Sequence, residues 1–175
     1  MNDDYLIKLD SFELRMINSN HIEQICYKTH KTDKIGAFFT TKVQHKQHWL
    51  NKLKNNELWN HENGGYLAMT KNEIVFGIIW HFKHGYQRSL EIGMNIFDED
   101  HRGQGLGQQA LIEYSNYLFS TYPIHRLQYN MVENNVSSEK IAIKAGFKYE
   151  GTMKKVMFIR GEFHDLKLYS KLKIQ

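Results

Sequence analysis

Asp100-His101-Arg102-Gly103-Gln104-Gly105-Leu106-Gly107-Gln108 is the stretch on which the reading of this chain turns. It follows a strand-like run, residues 90–97, and opens the clearest helical pattern, residues 105–122. There Leu106, Ala110, Leu111, Tyr114 and Leu118 fall on one face at helical spacing. Glycines let a backbone turn tightly and approach a ligand. The first N–H groups of a helix have no partners within it, and the helix dipole makes that end positive. Together these features suit an anion such as a pyrophosphate. A Walker A loop would need a Lys after its last glycine, and none is present. A dinucleotide fingerprint would need Gly-x-Gly-x-x-Gly, and here Gly103, Gly105 and Gly107 alternate. Taken alone, the glycines fit either a phosphate cradle or a plain strand-to-helix turn.

Outward from this loop the chain reads as alternating strands and helices. Residues 11–17 alternate as a strand. Asn20 is expected to cap a helix carrying Ile22, Ile25 and Cys26 on one face, and residues 43–53 form a second helix. Residues 60–65 are a turn cluster. Residues 66–70 and 74–82 pair as a hairpin across Lys71-Asn72-Glu73. Pro123 stands just beyond the helix 105–122. Residues 125–132 are a strand, and 136–145 a helix with Asn135 as cap and Gly146 as stop. Two last strands, 147–158 and 163–172, turn at Arg160-Gly161-Glu162. The expected class is α/β (α+β), a single domain over residues 1–175 with a mixed sheet of about seven strands and about four helices.

Composition narrows the function. The chain has 175 residues, 23 basic against 19 acidic, for a formal net charge of +4. No block of Lys and Arg points to nucleic acid. The mild excess suits a solvated surface or attraction to a polyanionic ligand. The single cysteine, Cys26, cannot form an internal disulfide and sits in an apolar helical pattern, which fits core packing in a reducing compartment. The start Met1-Asn2-Asp3-Asp4 is unlike a signal peptide, and no apolar run reaches the roughly 20 residues of a membrane span. The expected setting is cytoplasmic. His81 and His84 would lie on opposite faces of a strand, so no metal site is expected.

Four separate pieces carry a family resemblance. Arg102-Gly103-Gln104-Gly105-Leu106-Gly107 resembles the acetyl-coenzyme A motif of the GNAT acetyltransferases. Asn135-x-x-Ser138, Lys144-Ala145-Gly146-Phe147 with Glu150-Gly151, and Gly161-Glu162-Phe163-His164-Asp165 resemble its Rim-type branch, the ribosomal-protein N-terminal acetyltransferases. Glu91-Ile92-Gly93 also fits. The resemblance spans about residues 12–172. Ile143-Lys144 departs from the family's Glu-Lys pair, and Asn20-His21 from its acidic helix start; both bear on acceptor specificity.

The resemblance implies a GNAT fold whose fourth and fifth strands, residues 90–97 and 125–132, run parallel and splay apart. The pantetheine arm of acetyl-CoA would lie between them, paired to the backbone of Met94, Asn95 and Ile96. Arg102, Gly103, Gln104, Gly105, Leu106, Gly107 and Gln108 would hold the pyrophosphate. Asn135 would hold the pantetheine or the incoming amine, and Ser138 would protonate the leaving sulfur. Glu91 is the expected base, with Glu150 and Glu162 as weaker candidates. The reaction implied is acetyl transfer from acetyl-CoA to an amine by direct attack, without a metal. The acceptor would be a protein N-terminus or a small molecule such as a polyamine, aminoglycoside or amino sugar. A non-catalytic acetyl-CoA-binding module is the competing reading. No nucleic acid or membrane partner is expected, and a homodimer stays open.

Overall fold

A computed structural model describes residues 5–31, 43–83 and 88–173. Met1 to Asp4 and His84, which entered the sequence reading, lie outside the described residues. The chain separates into two compact units. The first comprises Met1–His81 with Met94–Gln104, and the second Phe82–Gly93 with Gly105–Gln175.

The first unit holds β1 (Tyr5–Lys8), β2 (Glu13–Met16), α1 (Ser19–Thr29), α2 (Lys46–Lys54), β3 (Trp59–Asn60), β4 (Gly64–Lys71) and most of β5 (Ile74–Lys83). β1 pairs with β2, β2 with β4, and β3 with β4, all antiparallel. Ile22, Ile25 and Cys26 of α1 are buried with Trp49, Leu58, Ala68, Val75 and Ile78. The cap of α1 is Asn18, not Asn20. Asn18 keeps an extended backbone (φ −115°), and its Oδ1 accepts the His21 N–H at 2.9 Å. Asn20 already lies inside the first turn. α2 begins at Lys46, later than expected, because His45 caps it through Nδ1. Asn72 and Glu73 both take positive φ, 51° and 65°, the geometry of a tight two-residue hairpin turn.

One glycine of this unit is dictated by crowding. β6 (Ser89–Ile96) runs through both units. At its end Phe97 N–H donates to Phe76 O at 2.8 Å. A Cβ on Gly77 would stand 2.5 Å from the backbone oxygen of Asn95. A carbonyl in a strand cannot rotate away as a side chain can. Gly77→Ala is therefore expected to lower stability by roughly 1–3 kcal/mol. Chemical denaturation of wild type and variant measures this, and an unchanged midpoint would contradict the close approach.

The second unit holds the start of β6, then α3 (Leu106–Thr121), β7 (Arg126–Val132), α4 (Val136–Lys144), β8 (Lys148–Ile159) and β9 (Glu162–Leu172). β6 and β7 are parallel, and β7–β9 and β9–β8 antiparallel. The buried face of α3 is the expected one, with Ala110, Leu111, Tyr114 and Leu118 fully enclosed. Gly146, at φ 85°, ends α4 region as expected. Among the described residues there are nine strands and four α-helices, in a mixed α/β fold. The expected seven strands omitted β1 and β3. These are too short, at four and two residues, to leave a clear alternation.

Candidate active site

The glycine loop is built from both ends. On the first unit, a 3-10 turn at Glu99–His101 precedes it. His101 stacks on Phe76 with ring centroids 4.8 Å apart, and Lys28 pairs with Asp98. The Arg102 guanidinium is used internally. Its Nε donates to Ile96 O at 3.2 Å, and its Nη2 to Ile96 O and Phe97 O, each at 3.1 Å. Arg102 thus ties the loop to the strand end and engages one carbonyl, that of Ile96, expected to serve a ligand. Gln104 Nε2 donates to Asp100 O. Gly103 has φ 74°.

On the second unit, Gly105 is the N-cap of α3 in the left-handed region, at φ 81°, with no side-chain cap. The first N–H groups of α3, from Leu106, Gly107 and Gln108, thus meet no capping side chain. A Cβ built on Gly103 or Gly105 would meet nothing within 4 Å. Glycine is demanded at these positions by backbone angle, not by crowding. The positions where side chains at Gly103 and Gly105 would begin are open, so neither would be blocked by a neighbour at the turn into α3.

The parallel ladder of the second unit is short. Its partners are Ser89↔Arg126, Leu90↔Leu127 and Glu91↔Gln128. β7 continues to Val132, paired with β9 along its whole length. β6 likewise continues through Ile92 and Gly93. Past Gln128 the edge of β7 that faces β6 has no ladder partner among the described residues.

Register sorts the side chains. Partners in a ladder share a face and neighbours alternate. Leu90, Leu127 and Tyr129 lie on the face covered by α4, since Tyr129 reaches Ser138 of that helix. Glu91, Arg126, Gln128 and Asn130 lie on the opposite face, with Ser170 of β9. Asn135 caps α4: its Oδ1 accepts the Ser138 N–H at 3.1 Å. The cap uses one lone pair of that oxygen and leaves the amide nitrogen of Asn135 outside it. Ser138 Oγ lies 2.9 Å from the Tyr129 hydroxyl, a hydrogen bond between two alcohols. Tyr129 is buried, which raises its phenol above the usual range.

Two other carboxylates of the second unit are structural. Arg126 grips Glu150 with both terminal nitrogens, and Ser170 Oγ also donates to it. The guanidinium bonds outweigh desolvation and hold Glu150 down to about 2. It stays ionised at neutral pH and makes a poor proton acceptor. Glu139 accepts from Tyr169 and Lys167, which lower its pKa. Glu162 is exposed, at the turn into β9. Among the described residues no group of three His, Cys, Asp or Glu could hold a metal ion. His81, in the first unit, is buried against Trp59, and desolvation lowers it to about 4.

Tyr129 and Asn130 were not anticipated. The signal for one was present: Arg126-x-Gln128-x-Asn130 places three polar groups on one face of a strand. Nothing local marks Tyr129, because an aromatic on a strand usually packs in the core.

The sequence profile of the Acetyltransferase (GNAT) domain matches residues 11–148. The chain belongs to the GNAT acetyltransferase family. It is an acyltransferase, similar to the ribosomal-protein-serine acetyltransferase of Escherichia coli K12, with 23% identity over 169 residues and 93% of each chain covered. In fold it resembles the ribosomal-protein-S5-alanine acetyltransferase of Vibrio fischeri, with a TM-score of 0.82, 19% identity and 95% of both chains covered. It also resembles RimL, a ribosomal alpha-N-protein acetyltransferase in complex with coenzyme A. That TM-score is 0.81 at 17% identity, with 96% of this GNAT chain and 97% of the other covered.

Proposed function

We propose that this GNAT enzyme moves an acetyl group from acetyl-CoA to a primary amine, with a protein N-terminus as acceptor, and that residues 1–175 act as one catalytic domain. The observation that carries the reading is the interrupted β6–β7 ladder, with an alcohol pair on one face and a carboxylate on the other. The coenzyme A held by RimL and the ribosomal-protein acceptor in the name of the Escherichia coli relative support it.

The residues present fit this cosubstrate. Open amides at the start of α3, preceded by Gly105 at positive φ, suit its pyrophosphate. The unladdered edge of β7 exposes N–H and C=O groups that an amide-bearing arm can pair with. Acetyl-CoA supplies a thioester carbonyl and a thiol that departs. The nitrogen must shed two protons, one before attack and one from the tetrahedral adduct, and the departing sulfur must gain one, which leaves one proton for solvent. An amine of pKa roughly 8 to 10 arrives mostly protonated at neutral pH, and Glu91 is placed to take that proton. Ser138, on the opposite face, is placed to give one to the departing sulfur. Only one of the two hydroxyls donates within the Ser138–Tyr129 bond. Ser138 Oγ donates to the Tyr129 oxygen, which fixes where the serine hydroxyl sits and from where it turns to the departing sulfur. Acid and base on opposite faces let the amine approach from the side away from α4.

The test is Glu91→Gln, assayed by thiol release against a panel of N-terminal peptides, polyamines and aminoglycosides. Loss of a base is expected to lower kcat/KM roughly 10²-fold at pH 7. The loss should shrink at pH 9 to 10, where the amine is already neutral. A deficit constant across pH would remove Glu91 from the proton path. A panel on which only small amines react would move the acceptor away from protein N-termini.

A further inference from the structure

Asn130 carries a feature the reading above does not use. Its Oδ1 is buried and has no hydrogen-bond partner among the described residues. Buried carbonyls are almost always paired, and an unpaired one lowers stability. The sheet explains why its neighbours do not satisfy it. Across β7–β9, Asn130 stands opposite Leu168, and Leu168 stands opposite Gly151 of β8. Neither side chain has a donor to offer.

The position is informative. Asn130 shares the face of Glu91 and Gln128, and is the first residue on that face beyond the end of the parallel ladder. Two residues along a strand and one strand across separate its Cα from that of Glu91 by roughly 8 Å. Two extended side chains can close that gap onto one nitrogen between them. The residue as a whole is only partly buried. Rotation about χ2, a soft two-fold torsion, turns its oxygen toward the open side.

We propose that Asn130 positions the acceptor amine: its Oδ1 accepts a hydrogen bond from the attacking nitrogen while Glu91 takes a proton from it. This rests on the transferase reading. A primary ammonium has three N–H bonds. One proton goes to Glu91 and one N–H is held by Asn130; the lone pair left by the transfer first points at Glu91, and the amine turns about its bond to Asn130 to bring that pair to the thioester carbonyl. A tertiary amine cannot satisfy both groups. The site therefore requires an amine with at least two N–H bonds when charged, and holds it through a neutral acceptor, without a second charge.

The experiment compares wild type with Asn130→Ala and Asn130→Leu. The probes are a hexapeptide with a free N-terminal serine, and n-butylamine, each against acetyl-CoA. Both variants are expected to raise KM for the amine about tenfold to a hundredfold, the range for a hydrogen bond to a charged group. KM for acetyl-CoA and its thermal shift should stay unchanged. Asn130→Leu should also melt higher than wild type, because it removes the unpaired oxygen without opening a cavity. An unchanged amine KM overturns the proposal, as does a loss confined to acetyl-CoA binding. Wild type that releases no thiol with either probe sinks the transferase reading, and this proposal with it.

Discussion

Gly105→Glu is expected to abolish the rise in melting temperature that acetyl-CoA gives the wild-type protein. A ligand that binds only the folded state stabilises it by about 2.7 kcal/mol at a hundred times its Kd. The amides that open α3 are uncapped, and nothing stands within 4 Å of where a Gly105 side chain would begin. A glutamate there would enter that open space. Its carboxylate could cap the N–H groups itself, and it would repel a diphosphate. The positive φ of 81° adds a second penalty, because an ordinary residue is strained there. Gly105→Asn separates the two effects. Asparagine tolerates the left-handed region and carries no charge, so this variant should retain most of the shift. If Gly105→Glu still shifts as wild type does, the start of α3 is not the phosphate site.

Ser138→Ala should lower kcat roughly 10²-fold with acetyl-CoA binding nearly intact, the usual range for one proton-transfer group. The Tyr129 link sharpens the test. Removing Oγ leaves a buried phenol without its partner, which should cost about 1–3 kcal/mol of stability. Tyr129→Phe keeps the serine hydroxyl but releases its orientation, so its loss in kcat should be smaller. Groups that act as a unit are not additive. The double variant should therefore be no slower than Ser138→Ala. Stopped-flow thiol release measures all three. A Ser138→Ala enzyme that melts lower yet turns over normally would reduce Ser138 to a packing partner of Tyr129.

Much of this was legible from local pattern. The buried face of α3 followed from the spacing of Ala110, Leu111, Tyr114 and Leu118. Asn135 as cap and Gly146 as stop followed from their own chemistry. Asn18 was misread as Asn20 because two asparagines stand within one turn, and backbone angle alone chooses between them. Glu150 illustrates the other limit. Its spacing to Gly151 fitted a motif, but the group that fixes its charge, Arg126, is 24 residues away in the chain.

The sequence by itself determined the order of strands and helices, the glycine turn into α3, and the family resemblance, because periodicity, caps and positive-φ glycines are properties of neighbouring residues. The tertiary structure alone decided which face of β7 each side chain takes, where the parallel ladder stops, and that Tyr129 meets Ser138 while the Asn130 Oδ1 meets no partner among the described residues. Those facts depend on register between distant strands. A shift of one residue would have exchanged the two faces.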